Sequence, residues 1–195
     1  MPPKTPKKRT AAIVPKKSTK RHAAVIKKIS PTTLITGGTG FLGSHLVRQL
    51  VDSGAKDIRV MATSIPEWLT DLGVDTFEGS VMNEDDVARA LEGVTEIYHL
   101  AGKVSRDKDN AREMYKLHVD GTRVLCDAAK QAGAKTIVLA SSSGTIAASE
   151  DQDEIADETY TAPLDIISRW PYYASKAYQE MAALERFSGK GLRLV

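Results

Sequence analysis

The chain has 195 residues, of which 42% are hydrophobic and 27% charged, a composition that suits a globular protein able to bury a core. Its net charge of +2 hides two unlike parts: residues 1–30 hold ten of the 27 basic residues and no acid, so the remainder, with 17 basic and 25 acidic residues, is acidic. A lone cysteine, Cys126, excludes an intrachain disulfide and favours a reducing, cytoplasmic setting, and the lack of any apolar run near ~18 residues or of an h-region excludes a transmembrane helix and a secretory signal.

Residues 1–30, "MPPKTPKKRTAAIVPKKSTKRHAAVIKKIS", mix Pro, Lys, Ser and Thr with few apolar side chains. Such a stretch cannot bury enough surface to offset chain entropy, so it is expected to be a disordered basic tail. A basic nuclear address, a mitochondrial presequence or a nucleic-acid contact would each suit part of it, and nucleic acid is expected, if anywhere, only there. A presequence fits less well with few Arg and several Pro.

From Pro31 the pattern changes. "TTLIT" (Thr32–Thr36) reads as a β-branched strand running into glycines, and "FLGSHLVRQLVDSG" as an amphipathic helix closed by Gly54. "DIRVMA" (Asp57–Ala62) and "VDTFEG" (Val74–Gly79) read as the second and third strands. "NEDDVARALEG" (Asn83–Gly93) is a helix whose Asn cap and acids suit its dipole. "TEIYHLAG" (Thr95–Gly102) is a buried strand, Asn110–Gly133 a long helix and "KTIVLASS" (Lys135–Ser142) a fifth strand. An acidic loop then leads to a tyrosine-rich helix at "RWPYYASKAYQEM" (Arg169–Met181). Strands that are apolar without strict alternation, separated by helices, imply an α/β fold: a doubly wound parallel sheet of the Rossmann type over residues 31–195. "GKGLRLV" reads as one more strand, and the C-terminal substrate region expected after it is absent from the sequence, as in a truncated domain.

The turn "TGGTGFLG" lies between strand and helix. Gly38, Gly40 and Gly43 satisfy G-x-G-x-x-G, while Gly37, Gly40 and Gly43 satisfy G-x-x-G-x-x-G. The first glycine makes the tight turn, the middle one lets backbone N–H groups approach a pyrophosphate, and the last lets the helix pack close to the strand. The anion then sits at the helix N-terminus. This implies NAD or NADP. The second strand should end in an acid if NAD is selected, yet it runs into "ATSIPEW", with Thr63 and Ser64 but no acid before Glu67. Arg59 precedes the strand end. The expected lean is mildly toward NADP.

Tyr172 and Lys176 are spaced i and i+4, on one helical face. Tyr173 and Tyr178 have alanines four residues on, so only Tyr172 has a cation one turn away, which would favour the phenolate and suit acid–base exchange. A packed tyrosine with a surface lysine would show the same spacing.

In order, "TGGTGFLG", "YHLAG", "HVDGT", "ASSSGT" and "YYASK" resemble the extended short-chain dehydrogenase/reductase family, also called the NAD-dependent epimerase/dehydratase family, over roughly Thr32 to Val195. The double serine, the small "GTIAAS" that follows it and "YYASK" look most like its dihydroflavonol-reductase and 3β-hydroxysteroid-dehydrogenase branch. The resemblance implies an NAD(P)-dependent oxidoreductase, epimerase or dehydratase. It implies Tyr172 as general acid/base, Lys176 on the nicotinamide ribose, and Ser142 on the substrate oxygen; Ser143 is the alternative, with Ser141 facing the strand end. Cofactor contacts are expected from Gly37, Thr39, Gly40, Phe41, Leu42, Gly43, Thr63, Ser64, Ala101, Tyr172 and Lys176. The implied partner is a small molecule bearing a hydroxyl or carbonyl group; no membrane is expected, and a homodimer is compatible. No metal is implied, and His99 is expected to pack beside the cofactor. A cofactor-binding sensor or scaffold without turnover is the alternative function.

Three departures stand out. Ser80 replaces the Asp that often contacts adenine, and His118 stands where the family often has Asn. Lys103 follows "YHLAG" near the expected nicotinamide end, where it could reach cofactor or substrate or remain solvated.

Overall fold

The computed structural model describes residues 32–151, 153–189 and 191–195. The basic tail expected over residues 1–30 lies outside them. Six strands form one parallel sheet in the order β3-β2-β1-β4-β5-β6. In chain order these are β1 (Thr32–Thr36), β2 (Ile58–Ala62), β3 (Asp75–Glu78), β4 (Val94–His99), β5 (Thr136–Leu139) and β6 (Arg193–Leu194). The connecting helices are α1 (Phe41–Asp52), α2 (Glu67–Asp71), α3 (Glu84–Ala90), α4 (Ala111–Tyr115), α5 (Gly121–Ala132), α6 (Leu164–Ile167) and α7 (Pro171–Arg186).

The continuous apolar strands are explained by burial on both faces. On one face Leu34, Ile97 and Ile137 pack with Leu125, Ala129 and Phe187 of the α5 and α7 layer. On the other, the adjacent Ile35 joins Ile58 and Val60 against Val47 of α1 and Leu69 of α2. Consecutive residues of β1 thus feed different cores, as the period of a strand requires.

Three α- or π-helical features were not expected from the sequence, one being the short α6, which lies within the stretch expected to be an acidic loop and buries Ile167. After Pro66, which serves as N-cap, "EWLTD" forms the short α2, burying Leu69. Between α4 and α5 the helix widens into a π turn over Lys116–Asp120, so the long helix expected at 110–133 is present but interrupted. A π turn inside an α-helix often marks a functional position.

Strand order reverses between β1 and β4. In open α/β sheets a ligand crevice forms at such a switch point. Thr36 and His99 stand at those two ends, paired in register.

Candidate cofactor and catalytic site

The glycine turn leaves β1 at Gly37, whose φ of +71° suits a residue without a side chain. A Cβ at Gly37 would lie 2.6 Å from the Ala101 nitrogen, and one at Gly43 would collide with the Gly37 carbonyl and sit 2.8 Å from Gly38 Cα. The turn is closed by the Gly40 N–H donating to the Gly37 carbonyl at 3.0 Å.

Gly40 then caps α1 without any side-chain hydrogen bond, and the first turn of α1 holds no acid. Helix α3 is built the other way: Asn83 accepts from the N–H groups of Asp85 and Asp86, and three acids fill its first turn. One N-terminus is satisfied internally. The other leaves its N–H donors and positive dipole end without an internal anion, which suits a phosphate.

A cleft of about 240 Å³ opens beside this turn. Of the residues expected to touch cofactor, Gly37, Thr39, Gly40, Thr63 and Ala101 line it, joined by Met61, Ala62, Ser80, Leu100 and Leu117. Gly43 lies beneath the turn, Phe41 and Leu42 are exposed at 87% and 58%, and Ser64 is exposed outside the lining. Arg59 is committed elsewhere: its guanidinium bonds Asp75 at 2.6 Å and the Ala90 and Glu92 carbonyls at 2.7 and 3.0 Å. The Ser80 hydroxyl accepts from the Met82 N–H at 3.2 Å, while its own N–H donates to Asp86 at 3.1 Å.

The second half of the site rests on α7. Pro171 opens that helix, a position where the missing N–H costs nothing. Ser142 follows β5 and caps the 3₁₀ turn Ser143–Thr145 by accepting from the Gly144 N–H at 3.2 Å. Gly144 makes room for the Tyr173 ring, which any side chain there would strike. The Tyr173 ring thus packs against the turn that follows β5. The Ser141 and Thr145 hydroxyls both lie within hydrogen-bond reach of Glu180 of α7, and Ser143 is exposed.

Tyr172 is half-buried, with its ring 5.6 Å from that of Tyr173 and edge-on to His118 at 6.0 Å. Its hydroxyl makes no hydrogen bond among the described residues, so the proton remains available to a ligand. Lys176 is only 5% exposed, and its ammonium donates to the Ala140 carbonyl at 2.6 Å and to Gln179 Oε1. Burial pushes its pKa down to about 8, with the Glu180 carboxylate opposing the shift.

Two histidines sit under this lysine. The Lys103 backbone N–H donates to His118 Nε2 at 3.0 Å, so the ring proton must be on Nδ1, which donates to Ser175 Oγ at 2.9 Å. The Ser175 hydroxyl donates in turn to the Tyr172 carbonyl at 2.8 Å. Set in the π turn, His118 thereby ties the loop after β4 to the first turn of α7. Burial, and secondarily the Lys176 charge, pushes its pKa down to about 4. His99 lies between the Thr36 and Thr122 hydroxyls at 2.7 and 3.0 Å, with its pKa pushed to about 3 chiefly by burial, then by the Lys176 and His118 charges. Both ring nitrogens of His99 are thus engaged. The Lys103 ammonium turns away from the cleft to Asn110 at 2.8 Å and Glu113 at 2.5 Å.

Gln179, fully buried and bonded to both Lys176 and Thr122, went unforeseen. Its position, i+3 from Lys176 on a helix, was the only sequence signal for it.

Residues 33–195 match the model of the NAD-dependent epimerase/dehydratase family. The chain is 33% identical over 168 residues to 3 beta-hydroxysteroid dehydrogenase type 7 of Rattus norvegicus, covering 82% of this chain and 50% of that protein. It is 32% identical over 182 residues to dihydroflavonol 4-reductase of Zea mays, covering 84% and 50%. Among solved structures, dTDP-glucose 4,6-dehydratase of Streptomyces venezuelae with NAD bound superposes with a TM-score of 0.71 at 27% identity, covering 84% of this chain and 53% of that one. The chain spans about half the length of the curated relatives it matches.

Proposed function

The chain belongs to the NAD-dependent epimerase/dehydratase family, and from that premise we propose that it serves NAD(P)-dependent oxidoreduction at a carbon bearing a hydroxyl or carbonyl oxygen. The observation that carries the reading is the pairing on α7 of a buried lysine ammonium, bonded only to neutral oxygens, with a half-buried tyrosine whose hydroxyl is unengaged one turn away.

The residues fit the dinucleotide. The glycine cradle is one that Cβ atoms would fill, and α1 presents N–H groups without an internal cap. Gly37, Thr39 and Gly40 would hold the pyrophosphate, and Thr63 would meet the adenosine ribose. The bound dinucleotide supplies the hydride acceptor or donor.

The protein's own part is orientation and proton transfer. Ser142 Oγ would orient the substrate oxygen, leaving its bond to the Gly144 N–H intact because a hydroxyl both donates and accepts. The Tyr172 hydroxyl would move the proton at that oxygen. Lys176 has three N–H bonds, two of them committed to Ala140 and Gln179. The third would reach a ribose hydroxyl, fixing the cofactor one helical turn from Tyr172. Likeness to hydroxysteroid dehydrogenases and dihydroflavonol reductases favours a bulky ring alcohol or ketone as substrate.

The test is a titration with NAD(H) and NADP(H), followed by a screen of sterol, flavonoid and nucleotide-sugar substrates through nicotinamide absorbance. Binding with turnover of a ring alcohol or ketone is expected. Tight binding with no turnover of any class would favour a sensor or scaffold, and no binding would overturn the reading.

A further inference from the structure

Beneath the lysine runs a buried chain of polar groups that the proposed chemistry does not use. Gln179 is fully buried, and Thr36, His99 and Thr122 are at most 1% exposed. A buried polar group is costly unless bonded, so such a chain persists only where its members are mutually satisfied.

The order of donors can be read from one end. The Lys176 ammonium can only donate, so the atom of Gln179 that faces it must be the amide oxygen. The amide nitrogen then faces Thr122, whose Oγ1 accepts at 2.8 Å. Thr122 continues to His99 Nε2, and His99 Nδ1 to Thr36, which also accepts from the Ala101 N–H at 3.3 Å. The side chain that holds the lysine is itself clamped from α5, and the clamp ends at the strand tip that carries the glycine turn.

We propose that Gln179 is a positioning residue for Lys176: its amide, held in one orientation by Thr122, keeps the ammonium buried, charged and aimed at the cofactor crevice. The inference rests on the functional reading above, since it concerns the same lysine. Its chemistry requires a hydrogen-bond acceptor at this position. An apolar side chain would leave the buried ammonium with the Ala140 carbonyl as its sole hydrogen-bond acceptor. The titratable groups that act on or feel Lys176 are Glu180 on its own helix, whose charge favours the ammonium, and His99 and His118 from β4 and the π turn, which are held neutral. Glu180 acts through space, because its bonded partners in this region are Ser141 and Thr145. Gln179 is therefore the only side chain among the described residues that directly bonds the ammonium.

The experiment measures the Lys176 pKa in this chain by competitive acetylation across pH, read by mass spectrometry, without any need for turnover. Gln179→Met keeps volume and removes the acceptor; the lysine pKa should fall by about one unit. Gln179→Glu restores an acceptor with charge and should raise it above that of the unmodified chain. Thr122→Val frees the amide and should lower it by less than Gln179→Met, while Thr122→Ser keeps the hydroxyl and should leave it unchanged. NAD(P)H titration of the same proteins should show weaker binding for Gln179→Met and recovery for Gln179→Glu. An unchanged lysine pKa in a folded Gln179→Met protein overturns the proposal; should that variant not fold, an unchanged pKa in both Gln179→Glu and Thr122→Val does so. Failure of every protein, the unmodified one included, to bind NAD(P)H overturns the functional reading and leaves the lysine result to stand or fall by itself.

Discussion

The two banks of the crevice solve different problems. The β1–β2–β3 bank recognises by omission: glycines where a Cβ would collide, a helix N-terminus with no cap or acid, and threonine and serine where a charged side chain could stand. The β4–β5–α7 bank does the reverse, packing a lysine, two histidines and a glutamine, with Thr122 of α5, into a region closed to water. An anionic ligand needs open donors that cost nothing to expose. Proton exchange at a defined atom needs a charge held in low dielectric, where it acts strongly on its neighbours. The contrast between α1 and α3 makes the same point within one bank, since only α3 satisfies its own N-terminus.

The largest break in this contrast comes from the proton itself. In the catalytically active protein, Tyr172→Phe should reduce turnover by at least a thousandfold and leave cofactor affinity within about twofold, because the ring still packs against Tyr173 and His118. Tyr173→Phe should be mild. Steady-state rates with matched cofactor titrations check both. Turnover by the Tyr172→Phe variant within tenfold of wild type, ~1.4 kcal/mol of barrier, would remove the second bank from the chemistry.

The next largest effect separates fold from ligand within the first bank. Gly43→Ala forces a methyl into the Gly37 carbonyl and against Gly38, backbone on backbone, so the helix must move off the strand. A cost of roughly 2–3 kcal/mol is expected, lowering the thermal midpoint by roughly 4–12 °C in a domain of this size. At Gly40 the nearest atom to a Cβ is the Gly37 carbonyl at 3.3 Å. Gly40→Ala should therefore fold nearly normally and lose cofactor affinity. Equal thermal loss in both variants would show that the turn is merely structural.

The two banks also differ in how readable they were. Glycines at fixed spacing between a β-branched run and an amphipathic helix state their own geometry, so the turn and the doubly wound parallel sheet are legible. Tyr172 and Lys176 are legible through helical spacing. The exit of Lys103 toward Glu113 is not, because a lysine stem can swing either way and the choice depends on where α4 begins. Gln179 looked like one more polar position on α7; its burial depends on Thr122, 57 positions away in sequence. His118 was visible only as an unusual residue. The π turn that turns it toward Ser175 is a tertiary outcome, set where α4 and α5 meet α7.

Acid sharpens the contrast on the second bank. His99 and His118 have folded pKa values near 3 and 4, below the ordinary 6.5, because they are buried and lie near Lys176. Between about pH 4 and 6.5 the unfolded chain therefore binds protons that the folded chain does not. The contribution of these two rings to stability is complete above about 6.5 and is lost as pH drops, by roughly 1.4 kcal/mol per pH unit for each proton. Denaturant midpoints measured from pH 7 to pH 5 should fall accordingly. His118→Gln, which can still accept from the Lys103 N–H and donate to Ser175, should make the slope shallower by about half. An unchanged slope would mean that this ring is not buried neutral.

The smallest effect is expected at the adenosine ribose, on the first bank. Strong NAD selectivity uses a carboxylate that bonds the ribose hydroxyls and repels a 2′-phosphate. At the end of β2 the cleft offers Thr63, with exposed Ser64 beside it, and Glu67 is drawn into the first turn of α2. Strong NADP selectivity needs an arginine, since charge-assisted bonds are the strong ones. Arg59 is spent on Asp75 and two carbonyls, and Arg48 stacks 4.5 Å over the Trp68 ring. With neither charge available, two small hydroxyls leave room for the phosphate and bond it weakly, so a preference for NADP of less than about tenfold, ~1.4 kcal/mol, is expected. Paired titrations with NADH and NADPH at one salt concentration measure it. Binding of NADH more than tenfold tighter would show that an acid reaches the ribose, and Glu67→Gln would then reduce that preference. The first bank would then recognise its ligand by a placed charge as well as by omission.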